Sequence, residues 1–122
     1  MKDKYKEKLL TDWESVFRQG LLTFWVFLSL NGEAKTVTEL REKIAELTQG
    51  TYQTSEQALY RSLRKYYDLE LVDYSEIETP GAPKRKLYVL SEIGENVLQD
   101  FTKRNIALFT QDEVKVLLEE KE

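Results

Sequence analysis

The sequence predicts a mainly α fold with one small β-hairpin, arranged as a winged helix-turn-helix with an N-terminal helix and C-terminal dimerisation helices. Three observations predict it. Two capped helical patterns follow each other across a turn at Gly50, Thr36-Val37-Thr38-Glu39-Leu40 and then Leu59-Tyr60-Arg61-Ser62-Leu63-Arg64. Two β-rich runs follow, Leu71–Ile77 and Lys86–Leu90, separated by the breaker Thr79-Pro80-Gly81-Ala82-Pro83. A further helix then opens at Ser91-Glu92-Ile93-Gly94-Glu95.

Each element has a local reason. Thr11-Asp12-Trp13-Glu14 offers a capping box, and the helical pattern runs from there to a stop at Asn31-Gly32. The second half of that helix is apolar on nearly every side, so it must be covered on every side, and a partner subunit is the expected cover. The next helix carries a capping signature at Thr36–Glu39, with Leu40, Ile44, Ala45 and Leu47 at helical spacing. It ends before Gly50. Thr54 or Ser55 caps the third helix, whose inner stripe is Leu59, Leu63 and Tyr66. Gln57, Tyr60, Arg61 and Arg64 fall on its opposite side. In the helix after Ser91, Ile93, Val97, Leu98 and Phe101 form a narrow apolar stripe suited to a helix–helix seam. A short acidic helix begins near Thr110-Gln111-Asp112-Glu113. The expected division is a winged-helix unit over 12–90 and C-terminal helices over 91–122.

Composition narrows the chemistry. The chain of 122 residues has no cysteine and no histidine, so disulfides, thiolate or imidazole metal sites and Cys- or His-based catalysis are excluded. Scattered carboxylates, lysines and tyrosines share no catalytic motif, so the chain reads as a binder rather than an enzyme, with no cofactor. Its longest apolar run, Gly20–Leu30, is far short of the ~20 residues that span a bilayer. A polar N-terminus, Met1–Lys8, does not resemble a signal peptide. No membrane role is expected, and the location expected is cytoplasmic. Net charge is −4, of which the segment 111–122 carries −3, so the remainder is nearly neutral. The placement of the bases therefore decides more than their number.

Taken in order, the apolar first helix after Gly20-Leu21-Leu22, the run Leu59–Arg64 and the hairpin Gly81–Lys86 closing on Leu87–Gly94 resemble the PadR family of winged-helix transcriptional regulators. The resemblance covers about Trp13 to Asn105. It implies a homodimer that represses transcription on a palindromic operator, with the helix after the wing paired to the partner's N-terminal helix. It also implies, in many relatives, a response to flat aromatic effectors. This chain departs from the family pattern twice: Lys35-Thr36-Val37-Thr38-Glu39 replaces a His-Gly-Tyr run, and Glu70 stands where relatives carry Gly.

The candidate site follows from chemistry as well as resemblance. A recognition helix over 54–68 would enter the major groove, and a wing over 79–86 would track the backbone of double-stranded DNA. Gln57, Arg61 and Arg64 have side chains that pair with adenine or guanine edges. Tyr60 suits a phosphate or sugar. Gln53, Thr54 and Ser55 lie where a helix N-terminus attracts phosphate, and Lys84, Arg85 and Lys86 are the wing cations. Trp13, Phe17 and Phe101 are candidate contacts for a small aromatic effector, against the plainer reading of core or interface. The alternative to DNA binding is a winged-helix module that binds protein, for which net acidity and the missing Tyr at the start of the second helix are the motives.

Overall fold

The structure is a computed structural model and describes residues 2–119. Its elements are α1 (Lys2–Gln19), α2 (Leu22–Leu30), α3 (Val37–Leu47), α4 (Glu56–Asp68), β1 (Val72–Ile77), β2 (Arg85–Leu90), α5 (Glu92–Phe101) and α6 (Asp112–Leu118). A π-helical segment, Thr102–Ile106, and a short 3-10 turn, Ala107–Thr110, join the last two. The expected architecture of helices around one antiparallel hairpin is the observed one.

The N-terminus departs from the sequence reading. Helix α1 begins at Lys2, not at the Thr11 capping signature, and the expected single helix to Gly32 is broken at Gly20-Leu21. Lys2–Leu10 holds four Lys, two Leu and one Glu, all strong helix formers, and Lys8 pairs with Asp12 at 2.7 Å one turn on. Helix continuity therefore overrides the local cap, and the expected boundary at residue 12 falls inside α1. Glu120 and Glu122, two of the acids of the C-terminal segment, lie outside the described residues.

The core is built where the helical stripes converge. Val26, Phe27 and Leu30 of α2, Leu40 and Ile44 of α3, and Leu59, Leu63 and Tyr66 of α4 are buried together with Val72, Tyr88, Leu90 and Leu98. The rings of Phe27 and Tyr66 meet edge to face at 5.0 Å, and the Tyr66 hydroxyl bonds Thr23 Oγ1 at 2.7 Å. Helix α2 is thus covered largely by its own chain, which differs from the expectation of a partner subunit as its cover. Helix α1 buries no residue at all.

Helix ends follow their local chemistry. Thr36 accepts from the Glu39 amide while the Glu39 carboxylate accepts from the Thr36 amide, a complete capping box. Those bonds, chiefly the one from the Thr36 backbone, hold the Glu39 carboxyl below the usual carboxylate range, and the Arg85 and Lys35 charges add to the effect. Ser55 and Ser91 cap α4 and α5 in the same manner. Lys35 has an unexpected place: its backbone pairs with Tyr88 through two 2.8 Å bonds, adding a short third rung to the sheet. Its buried ammonium donates to the Ser29 carbonyl at 2.6 Å, tying the hairpin to the end of α2.

The turn after α4 is strained. Glu70 sits at φ 64°, with its amide donating to the Tyr67 carbonyl and the Leu71 amide to the Tyr66 carbonyl, both at 2.9 Å. This is a Schellman termination in which the Glu70 Cβ crowds the following carbonyl, a penalty that glycine would not carry. Glu70→Gly is expected to stabilise the fold by about 0.5–1 kcal/mol, net of the extra chain entropy of glycine. Thermal unfolding of the two proteins would read this as a rise of a few degrees.

Candidate nucleic-acid interface

Helices α3 and α4 form the helix-turn-helix, and the hairpin β1–β2 stands beside the exposed face of α4. The N-termini of the two helices are joined by Thr38 Oγ1, which donates to Glu56 at 2.5 Å. Burial of Leu59, Leu63 and Tyr66 turns Gln57, Tyr60, Arg61 and Arg64 outward. The hairpin is closed by Thr79–Ala82, where the Ala82 amide donates to the Thr79 carbonyl at 3.0 Å. Pro80 precedes Gly81 at φ 80°, the residue pair a type II turn requires.

Register decides which wing residues face α4. Tyr74 lies opposite Tyr88 and Glu76 opposite Lys86, so these four share one face of the hairpin. That face and α4 bound a groove of about 460 Å³, lined by Tyr60, Arg61, Arg64, Tyr67, Lys86 and the two wing tyrosines, with Asp68 at its side. The aromatic rings form its floor: Tyr67 to Tyr74 is 5.0 Å and Tyr74 to Tyr88 is 5.8 Å between centroids. Lys86 Nζ lies 4.4 Å from the Tyr74 ring centroid. Burial, and then the neighbouring Tyr60 and Tyr74, push the Tyr88 hydroxyl pKa upward from its ordinary value.

The three wing cations are not equivalent. Lys84 is paired with Glu78 at 3.2 Å and with Glu76 at 3.8 Å, both at the solvent. Arg85 lies on the opposite face of the strand from Lys86, and its charge is felt by Glu39. Among the described residues, Arg61, Arg64, Arg85 and Lys86 have no carboxylate within the 4.0 Å ion-pair distance. The structure thus brings Tyr60, Arg61, Arg64 and Lys86 together and leaves Lys84 and Arg85 outside the groove. Ser55 spends its hydroxyl on the Ala58 amide at 3.1 Å, and Gln53 faces a recess beside α1. Thr54, half-buried, stands between them.

Sequence reasoning missed Tyr67, Tyr74 and Tyr88. The alternation Tyr74-Ser75-Glu76 against Lys86-Leu87-Tyr88 carries the signal, but reading it requires the strand register. The effector candidates separate into two places. Trp13 and Phe17 line an apolar recess of about 370 Å³ with Leu10 and Arg18. Phe101 instead packs on Phe24 at 5.8 Å and does not enter that recess.

Residues 26–100 match the family model described as the Transcriptional regulator PadR-like family, and they span more than half of the chain. The chain belongs to the PadR-like family of transcriptional regulators. A PadR-like transcription factor from Bacteroides fragilis is 26% identical, with a TM-score of 0.66 over 80% of this chain and 91% of its own. A PadR-family regulator from Eggerthella lenta is 21% identical at a TM-score of 0.71, covering 97% and 99%. Bacillus subtilis PadR, solved in complex with operator DNA, is 16% identical at 0.61, over 67% of this chain and 46% of that one. No curated protein matches the sequence significantly. The PadR-like assignment agrees with the winged-helix architecture and with the resemblance read from residues Trp13 to Asn105. Among the described residues, no helix is long and apolar enough to cross a membrane.

Proposed function

We propose that the chain is a sequence-specific DNA-binding repressor that acts as a homodimer, with α4 in the major groove and the wing on the flanking backbone. The observation that carries this reading is the α4–wing groove, where Arg61, Arg64 and Lys86 converge above a tyrosine floor, none of them ion-paired to Asp68 at its side or to any other described carboxylate. Guanidinium groups at one turn's spacing on an exposed helix suit guanine edges or phosphates, and Lys86 suits the adjacent strand. The acidity of the whole chain does not oppose this, because field strength depends on local arrangement.

Dimerisation is supported by the apolar surface left over. On α1, Tyr5, Leu9, Trp13, Val16 and Phe17 are exposed, and on α5 so are Ile93, Val97 and Phe101. An 18-residue helix with an apolar stripe and nothing buried needs a cover, and the α5 stripe of a second copy supplies one. A two-fold protein calls for a two-fold operator. A planar aromatic effector would enter beside Trp13 and Phe17, at the edge of that interface.

Selection from random duplexes at low salt tests the reading. The expected result is enrichment of an inverted repeat bound by two chains. Failure to enrich any duplex, together with co-purification of a protein partner, would favour the protein-binding alternative.

A further inference from the structure

We infer that Tyr74 is a positioning residue for DNA binding, holding Lys86 in register with the recognition helix. This rests on the DNA-binding reading above. Across the strands Lys86 faces Glu76, and a directly opposed lysine and glutamate would ordinarily pair. Here Lys84 holds the Glu76 carboxylate at 3.8 Å and Glu78 at 3.2 Å. The Lys86 ammonium instead lies over the Tyr74 ring at 4.4 Å, where the electron-rich face attracts it without neutralising it.

Tyr74 is in turn fixed from both sides, by Tyr67 of α4 at 5.0 Å and Tyr88 of β2 at 5.8 Å. The ring therefore connects the helix that reads bases to the cation that meets backbone. Lys84 acts on the same cation indirectly, by engaging the Glu76 carboxylate that stands opposite it. A flexible lysine loses rotamer freedom on binding, and a ring that restrains it beforehand lowers that cost.

The test is binding of the selected duplex by fluorescence anisotropy across a salt series, with thermal unfolding of each variant recorded alongside. Tyr74→Ala is expected to weaken binding about five- to tenfold and to flatten the log K against log salt slope by about 1.8, the loss of one phosphate contact in each of the two chains. Lys86→Ala should match it, and the double variant should be no weaker than either single one. Tyr74→Phe keeps the ring face and should bind as the parent does. Tyr74→Leu keeps apolar bulk without the ring and should behave as Tyr74→Ala, which keeps the test valid if the alanine variant fails to fold.

An unchanged salt slope in Tyr74→Leu, or additive losses in the double variant, would overturn the positioning role while leaving DNA binding intact. Absence of binding by the parent protein would overturn both.

Discussion

Gly94→Ala is expected to destabilise the protein by about 3 kcal/mol, because Gly94 alone of the five glycines has neighbours within 4 Å of an added carbon. Gly94 lies in the first turn of α5, buried against Leu71, just before β1, and Leu90 of β2. A Cβ there would stand 2.1 Å from the Leu71 carbonyl oxygen and 3.1 Å from a methyl of Leu90. The carbonyl cannot retreat freely, because it accepts from the Ser91 amide at 3.1 Å. The Ser91 hydroxyl also donates to the Glu70 carbonyl at 2.7 Å, so the left-handed turn at Glu70, the cap at Ser91 and the bare face of Gly94 form one corner. Helix propensity favours alanine by about 1 kcal/mol, too little to offset a backbone collision. The midpoint of thermal unfolding should fall by about 10 °C. Gly20→Ala is the control, since nothing lies within 4 Å of its added carbon.

The second large effect concerns binding. Arg61→Ala/Arg64→Ala/Lys86→Ala removes the three groove cations and is expected to weaken operator binding by at least about a hundredfold, with a salt slope flatter by at least about 1.8, the share of Lys86 in the two chains. All three side chains are exposed and outside the core, so the variant should unfold within a few degrees of the parent. Lys84→Ala/Arg85→Ala should lose less, because neither residue lines the groove and Lys84 is already occupied by two carboxylates. Equal losses in the two variants would return the wing tip to the centre of the interface.

What was legible in the chain follows the range of the forces involved. The capping box of Thr36 with Glu39, the Ser55 and Ser91 caps and the Pro80-Gly81 turn are decided within four residues, and each stands where the pattern places it. The inner stripe Leu59, Leu63 and Tyr66 is equally local, being one face of one helix. Thr11 misled because a cap signature has meaning only where a helix is free to begin, and Lys2–Leu10 already propagates one. The strain at Glu70 was visible as a departure from glycine, although only the backbone shows that the turn keeps its left-handed shape.

The site was legible in part, for a related reason. Tyr60, Arg61 and Arg64 follow from helix periodicity alone. Distinguishing Lys86 from Lys84 and Arg85 needs the pairing of two strands, since a shift of one residue would exchange the faces. Neutralisation of Lys84 depends on Glu76 and Glu78 returning to it across the turn, a long-range consequence of the hairpin. Three adjacent bases in sequence are therefore three different environments in space.

Amide chemical-shift mapping of the labelled protein titrated with its selected duplex reads out whether the α4–wing groove receives DNA. Perturbations are expected to concentrate along Gln57–Tyr67 of α4 and at Tyr74, Lys86 and Tyr88 of the wing. Perturbations confined to α1 and α6, with the α4–wing groove unmoved at saturating duplex, would contradict it.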